Sequence, residues 1–122
     1  MRTNILADKS FEFAVRIVKL HKYLKKNFVE YEISKQIVRS GTAIGALIME
    51  SEYAFSKKDF VFKLIISLKE ANETRYWLRL LHRTDYLTKK IFDSMLFDCE
   101  ELIKILTSSV KTTNTKLSTV SK

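Results

Sequence analysis

The sequence predicts an all-α protein, an up-and-down antiparallel four-helix bundle, and three observations carry that prediction. Proline is absent and glycine occurs only twice, which removes the usual punctuation of an all-β chain and leaves long stretches free to be helical. Apolar residues recur at helical spacing in four successive segments. The breaks between those segments are short, and short connections between long helices make sequence neighbours antiparallel. With 122 residues, 46% hydrophobic and 30% charged, the chain reads as one ordinary domain that can pack a core without metals or disulfides. The bundle is expected over residues 1–110, with a flexible tail rich in Ser, Thr and Lys over residues 111–122.

The first helix is expected from about Asp8 to Asn27, where Phe13, Ile17, Leu20 and Leu24 step at i, i+4, i+7 and i+11 to make a coiled-coil-like seam. The second begins near Tyr31 or Glu32 and places Ile33, Ile37, Ile44, Ile48 and Phe55 close to one heptad face, with Gly41 on the same face. Ser56-Lys57-Lys58-Asp59 fits an N-terminal capping box, so the second helix should end near Phe55 and a third begin at once. If it reaches Arg83, the third helix has about 27 residues and spans about 40 Å. Thr84-Asp85 breaks it, and Thr88 can cap a fourth helix that carries Phe92, Met95, Leu96, Cys99, Leu102, Ile103, Leu106 and Val110.

The apolar content exceeds what one seam requires. Phe62, Ile66 and Trp77 fall away from the Leu64, Leu68, Ala71, Leu78 stripe, and Phe11, Val15 and Val18 flank the first seam. Extra apolar faces on a short bundle meet another subunit or a partner, so self-association is expected.

Ser40 to Ser51 (SGTAIGALIMES) holds both glycines, Gly41 and Gly45, and has no charge before Glu50. Each glycine costs a helix about 1 kcal/mol relative to alanine, and no phosphate-binding pattern such as GxxxxGK[ST] or GxGxxG surrounds the pair. Gly41 and Gly45 are therefore read as helix-packing positions, because small residues spaced by four let two backbones approach closely.

Catalytic and metal chemistry find little support. Four-helix bundles can house di-iron sites, which use Glu-x-x-His on two helices. Val18 stands three residues before His21 and Arg79 three before His82, so Glu50, Glu52, Glu70, Glu73, Glu100 and Glu101 lack the histidines that would complete such a site. Cys99 sits among Phe92, Met95, Leu96, Leu102 and Ile103 at helical spacing, a core position where a thiol is inert. As the one cysteine it forms no internal disulfide, which fits a cytoplasmic setting. Glu70 and Glu73 could serve acid-base chemistry but read better as a solvated face or one side of an ion pair. No catalytic residue, metal or cofactor is expected, nor a membrane span, since the longest uncharged run, Ser40 to Met49, is far below about 20 residues.

The formal charge is +8, of which Met1 to Arg83 carries +7 and Thr84 to Lys122 only +1. Such a field favours polyanions. Arg75, Arg79 and Arg83 recur every four residues with no acidic residue three or four positions before them, and like charges at that spacing repel unless an anion or a carboxylate faces the row. Arg16, Lys19, Lys22 and Lys26 form a second basic surface on the first helix, with Tyr23 among them as a stacking group. These seven residues are the sites expected to contact nucleic acid, through phosphates. The other reading is a protein-interaction scaffold, supported by the surplus apolar faces.

Three segments, SFEFAVRIVKLHKYL (Ser10 to Leu24), SKQIVRSGTAIGALIMES (Ser34 to Ser51) and SKKDFVFKLIISLKEANETRYWLRLLH (Ser56 to His82), together resemble the 23S rRNA intervening-sequence proteins. The likeness runs over about residues 5 to 106, in order and without a large gap. It implies a small bundle that assembles as a ring, typically a homopentamer, with no known catalytic activity, encoded within inserts in bacterial large-subunit ribosomal RNA genes. The accessory subunit of diversity-generating retroelements looks similar and implies partnership with nucleic acid, RNA more than DNA, and with a protein. The chain departs from the family pattern at Ala43, Leu47, Met49 and Ser51, and Asp85 stands where the turn after the third helix commonly carries glycine.

Overall fold

The computed structural model describes the backbone of residues 2–121 and the side chains of residues 5–114. Four helices follow in order, α1 (Arg2–Phe28), α2 (Glu32–Ser51), α3 (Lys57–Arg83) and α4 (Lys89–Ser121), and no strand occurs among the described residues. Each helix packs on its neighbour in sequence and α4 returns to α1, whereas the backbones of α1 and α3, and those of α2 and α4, stay apart. That pattern is an up-and-down antiparallel four-helix bundle, with α1 and α3 diagonal and parallel.

The expected seams are buried. Phe13, Ile17, Leu20 and Leu24 of α1 meet Ile37, Ile44 and Ile48 of α2, Leu64, Ala71, Leu78 and Leu81 of α3, and Met95, Cys99, Leu102 and Leu106 of α4 in one core. Between α2 and α3 the seam is built from small polar side chains. Ser67 Oγ donates to the Ile44 carbonyl at 2.9 Å, and the Ser40 and Thr74 hydroxyls meet at 2.8 Å. Every buried side-chain oxygen and nitrogen among the described residues has a partner, so the cost of desolvating these hydroxyls is offset by their hydrogen bonds.

The two glycines serve the α1–α2 contact. A Cβ on Gly41 would lie 2.8 Å from Ile17 Cγ1, and one on Gly45 would lie 3.2 Å from Ser10 Oγ and 3.4 Å from the Ser10 carbonyl. The missing side chains let α2 press on α1 within one subunit.

Several boundaries differ from the sequence expectation. α1 starts at Arg2 rather than near Asp8, because Leu6 adds a further turn to the seam and is buried in the core. α2 stops at Ser51 rather than near Phe55. There the N–H groups of Glu52, Tyr53 and Ala54 bond to carbonyls three residues back, tightening the chain into a turn. Phe55, expected on the heptad face, is fully exposed in consequence. Trp77 and Ile66 are not free surface: Trp77 packs against the core and both are half-buried. α4 continues past Val110 into the segment read as a flexible tail, and the side chains of residues 115–122 lie outside the described residues.

Start signals act as read, with one addition. Ser56, in extended backbone, accepts the Asp59 N–H at 3.0 Å, and Asp59 in return accepts from the Phe55 N–H at 3.2 Å. Thr88 accepts the Ile91 N–H at 3.2 Å. The start of α2 has no side-chain cap at Tyr31; instead the Glu30 carboxylate accepts the N–H groups of Glu32, Ile33 and Ser34 at 2.9–3.2 Å. An anion there also suits the helix dipole.

α3 ends in a Schellman motif. Tyr86 N–H bonds to Leu81 O at 2.9 Å and Asp85 N–H to His82 O at 3.1 Å, while Asp85 takes a φ of 70°. Left-handed backbone is costly for residues with a Cβ, and the Asp85 side chain is exposed. Asp85→Gly is expected to stabilise the protein by about 0.5–1 kcal/mol. Urea unfolding checks this, with a higher midpoint at unchanged slope; a lower midpoint would contradict it.

Candidate nucleic-acid interface

The groups that could carry catalytic or metal chemistry occupy the following surroundings. Cys99 is fully buried, its Sγ lies 3.4 Å from the Ala71 carbonyl, and burial pushes its thiol up to about 12, so little thiolate exists at neutral pH. No group of three or more metal-ligating side chains converges among the described residues. Glu70 and Glu73 are engaged by Arg39 of α2: Nη1 reaches Glu70 at 3.2 Å, and Nη2 pairs with Glu73, which also accepts from Trp77 Nε1 at 3.1 Å. Burial pushes the Glu73 carboxyl up, but the hydrogen bonds from Trp77 and Arg39 outweigh it and hold the group below the usual carboxylate range. It is an ion-paired structural group.

The basic residues are distributed by the bundle in a way that the linear sequence does not reveal. α1 and α3 run parallel on opposite corners, and α4 lies between them. From one side Arg16 of α1 bonds Asp98 of α4 at 2.5 Å and Ser94 Oγ at 2.8 Å. From the other, Arg75 of α3 lies 3.7 Å from Glu100 of α4 and 2.9 Å from Asn72 Oδ1. Two of the seven expected contact residues are thus already faced by carboxylates.

The other five continue from these anchors toward one end of the bundle. Lys19, Lys22 and Lys26 of α1 and Arg79 and Arg83 of α3 are exposed, and none of them makes an ion pair among the described residues. Residues 17–36 and 76–97, which build this end, hold nine Lys and Arg against four Asp and Glu. Glu30 is committed to capping α2 and Asp93 to pairing with Lys89 at 2.6 Å, which leaves little to neutralise the rest.

A purely structural account covers part of this. Lys25, Lys26, His82 and Arg83 sit in the last turns of α1 and α3, where cations favour the helix dipole. It does not extend to Lys19, Lys22 or Arg79, one or more turns earlier. The turns bring Lys25, Lys35 and Lys90 to the same end, and of these only Lys25, a cation in the last turn of α1, carries a helix-end signal in the sequence. Tyr23 is half-buried, its ring edge-to-face with Phe28 at 6.0 Å, so only part of it is available for stacking.

Among the described residues no helix is long and apolar enough to cross a membrane. A family model described as 23S rRNA-intervening sequence protein matches residues 2–108. Among solved structures, the chain is similar to a protein with unknown function from the S23 ribosomal protein family of Bacteroides thetaiotaomicron VPI-5482, at 54% identity and a TM-score of 0.89, over 91% of this chain and 99% of that one. No curated protein matches.

Proposed function

This chain belongs to the 23S rRNA-intervening sequence protein family, and from that premise we propose that it is a non-enzymatic, self-associating bundle that binds nucleic acid through phosphate contacts. The observation that supports this is the gathering of Lys19, Lys22, Lys26, Arg79 and Arg83, without facing carboxylates, at one end of the molecule. Unpaired cations on diagonal helices repel each other across that end, and a polyanion relieves the repulsion. Arg16 and Arg75 serve as anchors that fix the basic helices against α4. The partner is RNA more than DNA, the setting cytoplasmic, and the assembly a ring, pentameric as the family resemblance implies. Repetition of a weak patch around a ring multiplies affinity by avidity.

Self-association is favoured by exposed apolar side chains on two faces. A groove of about 510 Å³ between α1 and α2 is lined by Ala7, Phe11, Ala14, Gly45, Ala46 and Met49, and Phe62 and Ile65 stand exposed on α3. The same surfaces support the second reading, a scaffold that holds another protein and has no direct nucleic-acid role.

The test is binding of a structured RNA as a function of salt, with assembly mass measured by light scattering. A mass above the 14.3 kDa of one chain is expected. Affinity should fall about 100-fold between about 50 and about 200 mM salt, as several phosphate contacts require. Absent or salt-insensitive binding would leave the scaffold as the better reading.

A further inference from the structure

Between α1 and α4 lies a groove of about 330 Å³, walled by Arg16, Lys19, Leu20 and Tyr23 on one side and Ile91 and Met95 on the other. Leu20 and Met95 are buried and form an apolar floor, while Ile91 and Tyr23 are half-buried at its edge. Phe28 braces the Tyr23 ring from behind. Lys19 is exposed on the lip with no ion pair, and Arg16, held by Asp98 and Ser94, closes the far end. The groove stays open because α1 packs less closely on α4 than on α2, where the glycines draw the backbones together.

An apolar floor, an aromatic edge and a cationic lip together suit a planar aromatic group tethered to an anion. A duplex offers no such group, since its bases are stacked inside and its backbone faces out. An unpaired nucleotide offers both parts at once, a base for the floor and a phosphate for the lip. An apolar side chain from another protein would fill the floor but leave Lys19 uncompensated.

We propose that the α1–α4 groove is a pocket for an unpaired nucleobase, so that the protein binds single-stranded or looped strands in preference to duplex. This rests on the nucleic-acid reading given above. The base lies over Leu20 and Met95 beside Tyr23 and Ile91, and the flanking phosphate meets Lys19, with Lys22 and Lys26 following the strand along α1.

The test titrates the full-length protein against a single strand carrying 2-aminopurine and against the same strand in duplex. The single strand is expected to bind about tenfold more tightly or better, the effect of stacking one base, with 2-aminopurine emission quenched on binding. Tyr23→Leu removes the ring and Ile91→Phe fills the groove, and each should lower the preference for single strand at least about threefold. Melting temperature and assembly mass confirm that both variants fold. Equal binding of the two forms without quenching overturns the pocket while leaving phosphate contact intact; absence of binding to either form at low salt overturns the nucleic-acid reading itself. Solvent protection of Tyr23 and Ile91 in the assembled protein before any strand is added would assign the groove to a second copy, and overturns the proposal.

Discussion

Replacing Gly41 by leucine is expected to lower the melting temperature by about 10 °C or more, a loss of roughly 3 kcal/mol or beyond for a domain of this size. The cause is geometric. A Cβ alone would sit 2.8 Å from Ile17 Cγ1 and 3.0 Å from its two methyl carbons, closer than carbon atoms approach, and Ile17 is fully buried with no room to turn aside. A leucine adds an isobutyl group to the same point, so α2 must move away from α1 and open the contact along its length. Gly41→Ala should be much milder, because a gain of about 1 kcal/mol in helix propensity offsets part of the clash. At Gly45 the obstacle is the Ser10 backbone at 3.4 Å, which cannot yield unless α1 shifts. Thermal unfolding followed by circular dichroism decides the matter, and an unchanged melting temperature for Gly41→Leu would show that the close approach is not needed.

Reversing Arg79 and Arg83 together to glutamate should weaken RNA binding about 100-fold at low salt and reduce the salt-dependence slope by about 2, since each arginine neutralises about one phosphate. The structural cost should stay at about 1 kcal/mol, because neither residue makes an ion pair among the described residues and only Arg83, in the last turn of α3, loses a favourable place on the helix dipole. The same change at Lys57 and Lys58, exposed at the opposite end of the bundle, alters net charge equally. It should cost far less affinity if the interface lies where the turns gather the unpaired cations. Equal losses from the two pairs would mean that net charge alone attracts the RNA and that no localised surface exists.

The helices were legible because their signals are local. Periodicity located the seams, and Ser56 with Asp59 and Thr88 marked two starts to the residue. The errors were local too. A heptad count carried α2 to Phe55, since periodicity has no knowledge of the tightened turn formed by Glu52, Tyr53 and Ala54. Glu30 was not seen as a cap because it stands two residues before the helix, outside the usual capping position. Ser40, Ser67 and Thr74 carry no seam signal in an apolar periodicity, yet the fold buries them in hydrogen bonds between α2 and α3.

The basic residues show the division most clearly. Composition and spacing alone identified Arg16, Lys19, Lys22, Lys26, Arg75, Arg79 and Arg83 as basic surfaces, and for Arg75, Arg79 and Arg83 the lack of an acidic residue three or four positions before them marked the charge as uncompensated within the helix. The sequence by itself likewise determined the helical class, the seam residues and the two small positions at Gly41 and Gly45. It could not say that Asp98 faces Arg16 or that Glu100 faces Arg75, residues 82 and 25 positions away. Nor could it place the five remaining cations at a common end. Those facts depend on which helices become neighbours and at what height they pass, and only the packed bundle settles that, because charge compensation is decided by distance in space.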